Sequence, residues 1–136
     1  MADRKTFHLE IISPDRKFYE NDAWMIEFDT TEGQIGVYAD HVPMTSILVP
    51  GVLNIYEEDE VKTAALIEGF VEILQDKIII LSQACEWPEE IDVHRAEEAK
   101  IRAERRIAAP DANINLARAE LALRKSLIRI QVAGKK

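Results

Sequence analysis

The sequence predicts an all-β N-terminal sandwich of about ten short antiparallel strands, followed by a C-terminal antiparallel two-helix hairpin. Three observations carry that expectation. Charge divides along the chain: residues 1–90 hold 6 Lys/Arg against 19 Asp/Glu, a net of −13, whereas residues 91–136 hold 11 against 6, a net of +5. Glycine divides with it, since Gly33, Gly36, Gly51 and Gly69 punctuate the first part and only Gly134 falls in the second. Finally, apolar residues recur at every second position early in the chain and at every third or fourth position late in it. Period 2 marks a strand with one buried face, and a 3–4 spacing marks an amphipathic helix. Pro88 sets the boundary, because proline restricts the residue before it and commonly stands at the head of a helix. The expected domains are therefore residues 1–87 and 88–136.

Along the first part, Phe7, Leu9 and Ile11 alternate with polar neighbours, as do Trp24, Ile26 and Phe28. Turn chemistry recurs at Ser13-Pro14-Asp15, Glu32-Gly33, Pro50-Gly51, Glu57 to Glu60, Glu68-Gly69 and Gln75-Asp76. Between these lie β-rich runs: Ile47-Leu48-Val49, Val52 to Tyr56, Phe70 to Leu74 and Ile78 to Leu81. Short strands without intervening helices imply an antiparallel sandwich or barrel. The segment Gly33-Gln34-Ile35-Gly36 reads as a β-turn and bulge. In the second part, Pro110-Asp111-Ala112-Asn113 interrupts two segments rich in Ala, Arg, Glu and Leu, all good helix formers. Leu116, Ala119, Leu123, Leu127 and Ile130 form the expected seam of the later helix, and Ala96, Ala99, Ala103 and Ile107 that of the earlier one. A short connection makes the pair an antiparallel hairpin. Alanine methyls bury little apolar area, so the first helix is expected to be held weakly and the hairpin to be detachable.

Composition narrows the function. With 17 basic and 25 acidic side chains among 136 residues, the net charge of −8 argues against a nucleic-acid partner, which needs clustered positive charge. No apolar run approaches the roughly 18 residues of a membrane span. The opening Met1-Ala2-Asp3-Arg4-Lys5 does not lead into a signal-peptide core. A single cysteine, Cys85, forms no intrachain disulfide, as expected of a reducing compartment.

No catalytic constellation emerges. His8, His41 and His94 lack metal-ligand spacing with one another or with Cys85, and no metal site is expected. No G-x-S-x-G elbow is present. Asp40-His41 can be read as an acid/base pair, against a structural loop histidine. Glu57 to Glu60 lacks the ligand alternation of a calcium loop and reads as a solvated hairpin turn. Cys85, with no paired base, reads as a buried structural thiol. The Gly33 to Gly36 segment lacks the third glycine of a dinucleotide fingerprint and the Lys-Ser/Thr of a P-loop. The basic half is more suggestive. Arg95 and Arg102, seven residues apart, share a helix face, Arg106 follows one turn later, and Arg129 can approach from the second helix. Their guanidinium forks suit phosphates, while Asp92 can accept hydrogen bonds from a base or sugar or cap the helix. The plain alternative is a solvated basic face laced with pairs such as Glu98 with Arg102.

Gly33-Gln34-Ile35-Gly36-Val37 followed by His41-Val42-Pro43 resembles the signature of the epsilon-subunit family of bacterial F-type ATP synthases. The resemblance extends over nearly the whole chain. It includes Leu9 to Asp15 with Tyr19, Glu68-Gly69-Phe70-Val71-Glu72, Ile79-Ile80-Leu81, Ala84-Cys85-Glu86, Arg118 to Leu123, and Arg129. Two departures stand out: Tyr38-Ala39 in place of Leu-Pro, and Glu68 in place of the first glycine of a Gly-Gly-Phe. What the resemblance implies is a non-catalytic rotor subunit at the cytoplasmic face of the membrane, peripheral and reached only through the complex. Its sandwich would dock on the gamma subunit and the c-subunit ring, with Gly33, Gly36, His41 and Pro43 as the candidate docking residues. Its hairpin would be permissive when folded. Extended towards the alpha and beta subunits, it would inhibit ATP hydrolysis.

The resemblance also implies a regulatory ATP site, in a protein with no catalytic cofactor. Some members bind ATP through [IL]-D-x-x-R-A, which here reads Ile91-Asp92-Val93-His94-Arg95-Ala96. Glu86, Arg102 and Arg129 match further positions of that site, and Lys125, beside Arg124, stands where another arginine is expected. Lysine keeps the charge but loses the bidentate fork, so weaker ATP affinity is expected. The alternative is a coupling subunit without nucleotide sensing, in which the motif holds the hairpin to the sandwich. A free-standing hydrolase using His41 is the remaining reading.

Overall fold

A computed structural model describes residues 4–109, 111 and 113–135. The opening Met1 to Asp3 and the expected helix break at Pro110 and Ala112 lie outside the described residues. Ten strands and two helices follow in chain order: β1 (Phe7–Ser13), β2 (Arg16–Ala23), β3 (Met25–Thr30), β4 (Gly33–Tyr38), β5 (Met44–Leu48), β6 (Gly51–Tyr56), β7 (Val61–Leu66), β8 (Gly69–Ile73), β9 (Lys77–Ser82), β10 (Cys85–Glu86), α1 (Val93–Ala108) and α2 (Leu116–Ala133). A 3-10 turn, Pro88–Glu90, joins the two parts.

The strands run β10-β7-β6-β3-β5-β8-β9-β1-β2, with β4 on the free side of β3. Every pairing is antiparallel except β1 with β9. One residue pair, Thr30 with Leu48, links β3 to β5, and there the sheet folds over to make a sandwich. Alternation does the rest. Leu9, Ile11, Ile26, Phe28, Leu53, Ile55, Val71, Ile73, Ile78 and Ile80 point inward and form one core, joined by Cys85. Burial raises the Cys85 thiol above its ordinary value, which keeps it protonated and inert. Gly69, at φ +155, opens β8 where a β-carbon would lie 2.0 Å from the Leu81 carbonyl oxygen, so only glycine fits.

Some local expectations are corrected. Gly33 to Gly36 is a regular strand paired with Thr30 to Glu27 without a bulge, although Gly33 does take the positive φ of 116 that ends its turn. Trp24 precedes β3 and is half-buried, with the Arg4 guanidinium 3.9 Å above its ring. The Glu57 to Glu60 turn is solvated only from Glu58 onward, because the Glu57 carboxylate accepts a hydrogen bond from Tyr19 and meets Lys62.

In the hairpin, the α1 seam follows expectation, with Ala96 and Ala103 buried. The α2 seam does so only in part: Ala119 is buried, and Leu123 and Ile130 are half-buried. Leu116 and Leu127 are 46% and 45% exposed, whereas Ala119, Ser126, Val132 and Ala133 are buried. Facing an alanine-lined helix, α2 turns its small residues inward, so the backbones approach closely and Leu116 and Leu127 face out. At its base the hairpin meets the sandwich through apolar contact: Ile91, Val132 and Ala133 cover Ala65, flanked by Val52 and Ile128. Among the described residues, no helix is long and apolar enough to cross a membrane.

Candidate functional site

The helices diverge from the sandwich around a cavity of about 420 Å³, lined by residues from β10, the 3-10 turn and both helices. Local chemistry fixes each wall. Glu86 ends β10, held in register by Cys85 opposite Leu66. Asp92 is the N-cap of α1, its Oδ1 accepting from the Arg95 amide at 3.1 Å. That cap starts the helix in a phase that sends Arg95, Ala99 and Arg102 to the cavity side. Lys125 and Arg129, four residues apart on α2, close the opposite wall together with Ala122 and Ser126.

The charged lining comprises four cations, Arg95, Arg102, Lys125 and Arg129, and three carboxylates, Glu86, Glu90 and Asp92. Arg129 Nε donates to Glu86 Oε1 at 2.8 Å, and Lys125 Nζ lies 2.8 Å from Glu68 Oε1 on the β7–β8 turn. Glu90 accepts twice from Arg16, from Nη1 at 2.7 Å and from Nη2 at 2.8 Å. Hydrogen bonding from Arg16 holds the Glu90 carboxyl below the usual carboxylate range, and the same pairing holds Arg16 above its ordinary value. Behind this pair, Trp87 stacks on Phe18 at 4.2 Å between ring centroids, so the connection between the two parts is firmly seated. Arg124 faces the sandwich, donating through Nε to the Pro50 carbonyl at 2.8 Å.

The fold therefore gathers Glu86, Asp92, Arg95, Ala96, Arg102, Lys125 and Arg129 around one void. Ile91 is not among them: it is buried against Ala65 and Val132, where an isoleucine side chain gains more than it would beside charges. Arg106 points elsewhere, towards Asn113 to Ala119 at the hairpin tip. Glu98 lies beside His94, at 3.7 Å, rather than on Arg102. Reading the sequence does not single out Glu90 and Ser126. A glutamate two residues before an N-cap aspartate, and a serine within an alanine-rich helix face, are the only signals they leave.

The docking candidates are less concentrated. Gly33 opens β4 and Gly36 sits within it opposite Glu27, whereas His41 and Pro43 lie in the connection to β5. Five extended residues, about 17 Å, separate Gly33 from Tyr38 at the far end of β4. His41 lies 2.8 Å through Nδ1 from the Val42 carbonyl, and Asp40 pairs with Lys5 at 2.8 Å, so the two do not form an acid/base dyad.

A second surface escapes the alternation argument. Ile47, Phe70 and Leu81 are 63%, 45% and 39% exposed and stand opposite one another on β5, β8 and β9, with Ile12 next in register on β1. The apolar run Ile78 to Leu81, apolar at both parities, is its trace in the sequence.

Comparison with known proteins agrees with this architecture. The family model described as "ATP synthase, Delta/Epsilon chain, beta-sandwich domain" matches residues 6–88. Its companion, "ATP synthase, Delta/Epsilon chain, long alpha-helix domain", matches residues 89–134. The "ATP synthase epsilon chain" of Caldanaerobacter subterraneus subsp. tengcongensis is 46% identical over 132 residues, covering 96% of each chain. That of Halalkalibacterium halodurans is 40% identical over 131 residues, 96% of this chain and 98% of the relative. A chain in the cryo-EM structure of Euglena gracilis mitochondrial ATP synthase shares the fold, with a TM-score of 0.81 over 94% of this chain and 81% of that one, at 23% identity.

Proposed function

The chain belongs to the ATP synthase delta/epsilon chain family as a non-catalytic subunit of the central stalk, and on that premise we propose a two-part function. The sandwich docks on the gamma subunit and the c-subunit ring at the cytoplasmic face of the membrane, coupling proton-driven rotation to ATP synthesis. The hairpin regulates hydrolysis. Docked, it binds ATP and is permissive; extended towards the alpha and beta subunits, it inhibits.

The observation that carries the regulatory part is the convergence of Glu86, Asp92, Arg95, Ala96, Arg102, Lys125 and Arg129 on one cavity. A nucleoside triphosphate brings several negative charges, and guanidinium forks match phosphate oxygens two at a time. Because the walls come from β10, α1 and α2, only the docked hairpin assembles the site. ATP bound to that state alone stabilises it by RT ln(1 + [L]/Kd), about 2.7 kcal/mol at a hundredfold excess over Kd. Small residues between the helices leave the two states near enough in energy for that to matter. For the docking part, the Ile47–Phe70–Leu81 row supplies an apolar surface that a solitary domain rarely leaves in water, and Gly33, Gly36, His41 and Pro43 flank the β4 side.

One observation favours a second reading, in which the motif is structural. Asp92 already caps α1, and Arg129 already bonds Glu86, so the hairpin is latched without any ligand. Calorimetric titration of ATP into the full chain separates the two. Binding heat that disappears in Arg95→Ala is expected. Absence of heat at millimolar ATP leaves the structural reading, under which removing residues 88–136 relieves inhibition in the reconstituted complex while Asp92→Ala changes nothing.

A further inference from the structure

The four cations of the cavity are not equivalent. Among the described residues, Arg95 and Arg102 on α1 have no ion-pair partner, whereas Lys125 and Arg129 on α2 each hold a sandwich carboxylate. The two held cations differ in turn. Arg129 pairs with Glu86, which itself lines the cavity, so a ligand meets that pair as a unit. Lys125 lines the cavity, but its partner Glu68 stands outside the lining, on the β7–β8 turn. Lys125 and Glu68 side chains are 26% and 30% exposed, so their attraction is only partly screened by water. A lysine ammonium has three donors and can keep Glu68 while reaching an anion. The carboxylate nevertheless cancels much of the charge that the anion would feel.

We propose that Glu68 sets the affinity of the hairpin cavity for polyphosphate anions by holding Lys125 in a competing ion pair. This rests on reading the cavity as a nucleotide site. Glu68 is thus an internal competitor supplied by the sandwich: it helps to latch the empty hairpin and weakens the ligand that would latch it instead. Losing this one charge leaves the hairpin seated, because Arg124 on Pro50, Arg129 on Glu86 and the Ile91–Val132–Ala133 cluster remain.

The test is ATP titration by calorimetry into four full-length proteins: unsubstituted, Glu68→Gln, Lys125→Gln and the double variant. Glu68→Gln removes the charge and keeps the side-chain shape. It is expected to tighten ATP about two- to fivefold, the range of a partly exposed ion pair, with the gain shrinking as salt rises. In the Lys125→Gln background the same substitution is expected to change nothing. Unchanged or weaker binding by Glu68→Gln, or an equal gain without Lys125, overturns the role of Glu68 while leaving the nucleotide site standing. Silence from all four proteins overturns both. Binding by Glu68→Gln alone supports both.

Discussion

The sandwich and the hairpin are held by different forces. Sandwich residues such as Leu9, Ile11, Ile26, Phe28, Leu53 and Ile80 are fully buried on strands far apart in sequence, and each removes a large apolar side chain from water. The hairpin buries little more than alanine between its helices, and α2 is fastened to the sandwich by Arg124, Lys125 and Arg129 around a small apolar base. One region gains its cohesion from area, the other from charge. Charge pairs are screened by salt and compete with anions, whereas buried apolar area is not screened. Both parts hold leucine and isoleucine; the difference is that the first buries many of them fully, while the second buries mainly alanine and is richer in alanine and arginine.

That contrast breaks most visibly at Phe28. Phe28→Ala is expected to cost about 3–5 kcal/mol in urea unfolding and to release the hairpin with the sandwich, since the latter is its docking surface. A loss below about 1 kcal/mol would mean that the apolar core does not govern the body.

Ala103 sharpens it from the other side. Ala103→Leu forces the helices apart where the seam is fully buried, at an expected cost of about 1–3 kcal/mol. Hydrogen exchange should show α1 and α2 amides losing protection while β1, β3 and β9 keep theirs. Loss of protection in all of them together would make the two regions one cooperative unit.

The smallest effect is expected at the connection. The Arg16 hydrogen bonds hold Glu90 below its ordinary value of 4.5. A carboxyl with a depressed folded value contributes stability that is fully present above about pH 4.5 and is lost as pH falls through the folded value. The indole resonance of Trp87, whose amide donates to Glu90 at 2.8 Å, should therefore be constant from neutral pH down to that point and move below it. In Glu90→Gln that movement should vanish.

Much of the fold is legible in the residues themselves. Alternation at Phe7, Leu9 and Ile11, turn chemistry at Pro14-Asp15 and Pro50-Gly51, and alanine spacing at 96, 99 and 103 each act within a few residues. Where two signals compete, local reading fails. Leu116 and Leu127 have the right spacing for a seam, yet close helix approach keeps the expected Ala119 and brings in Ser126 instead of them, and that preference exists only once α1 is in place. β2 and β7, with mixed polarity along Arg16–Ala23 and Val61–Leu66, become strands because neighbours complete their hydrogen bonds.

The sequence by itself determined a strand-built acidic body, a helical basic arm and the residue types able to hold a phosphate. These are properties of composition and short-range spacing. Only the tertiary structure decided which charges meet. Glu68 and Lys125 are bonded to each other across 57 residues of sequence, while Arg95 and Arg102 line the void with no ion-pair partner among the described residues. Charge pairing depends on distance in space, and a chain fixes that distance only when it folds.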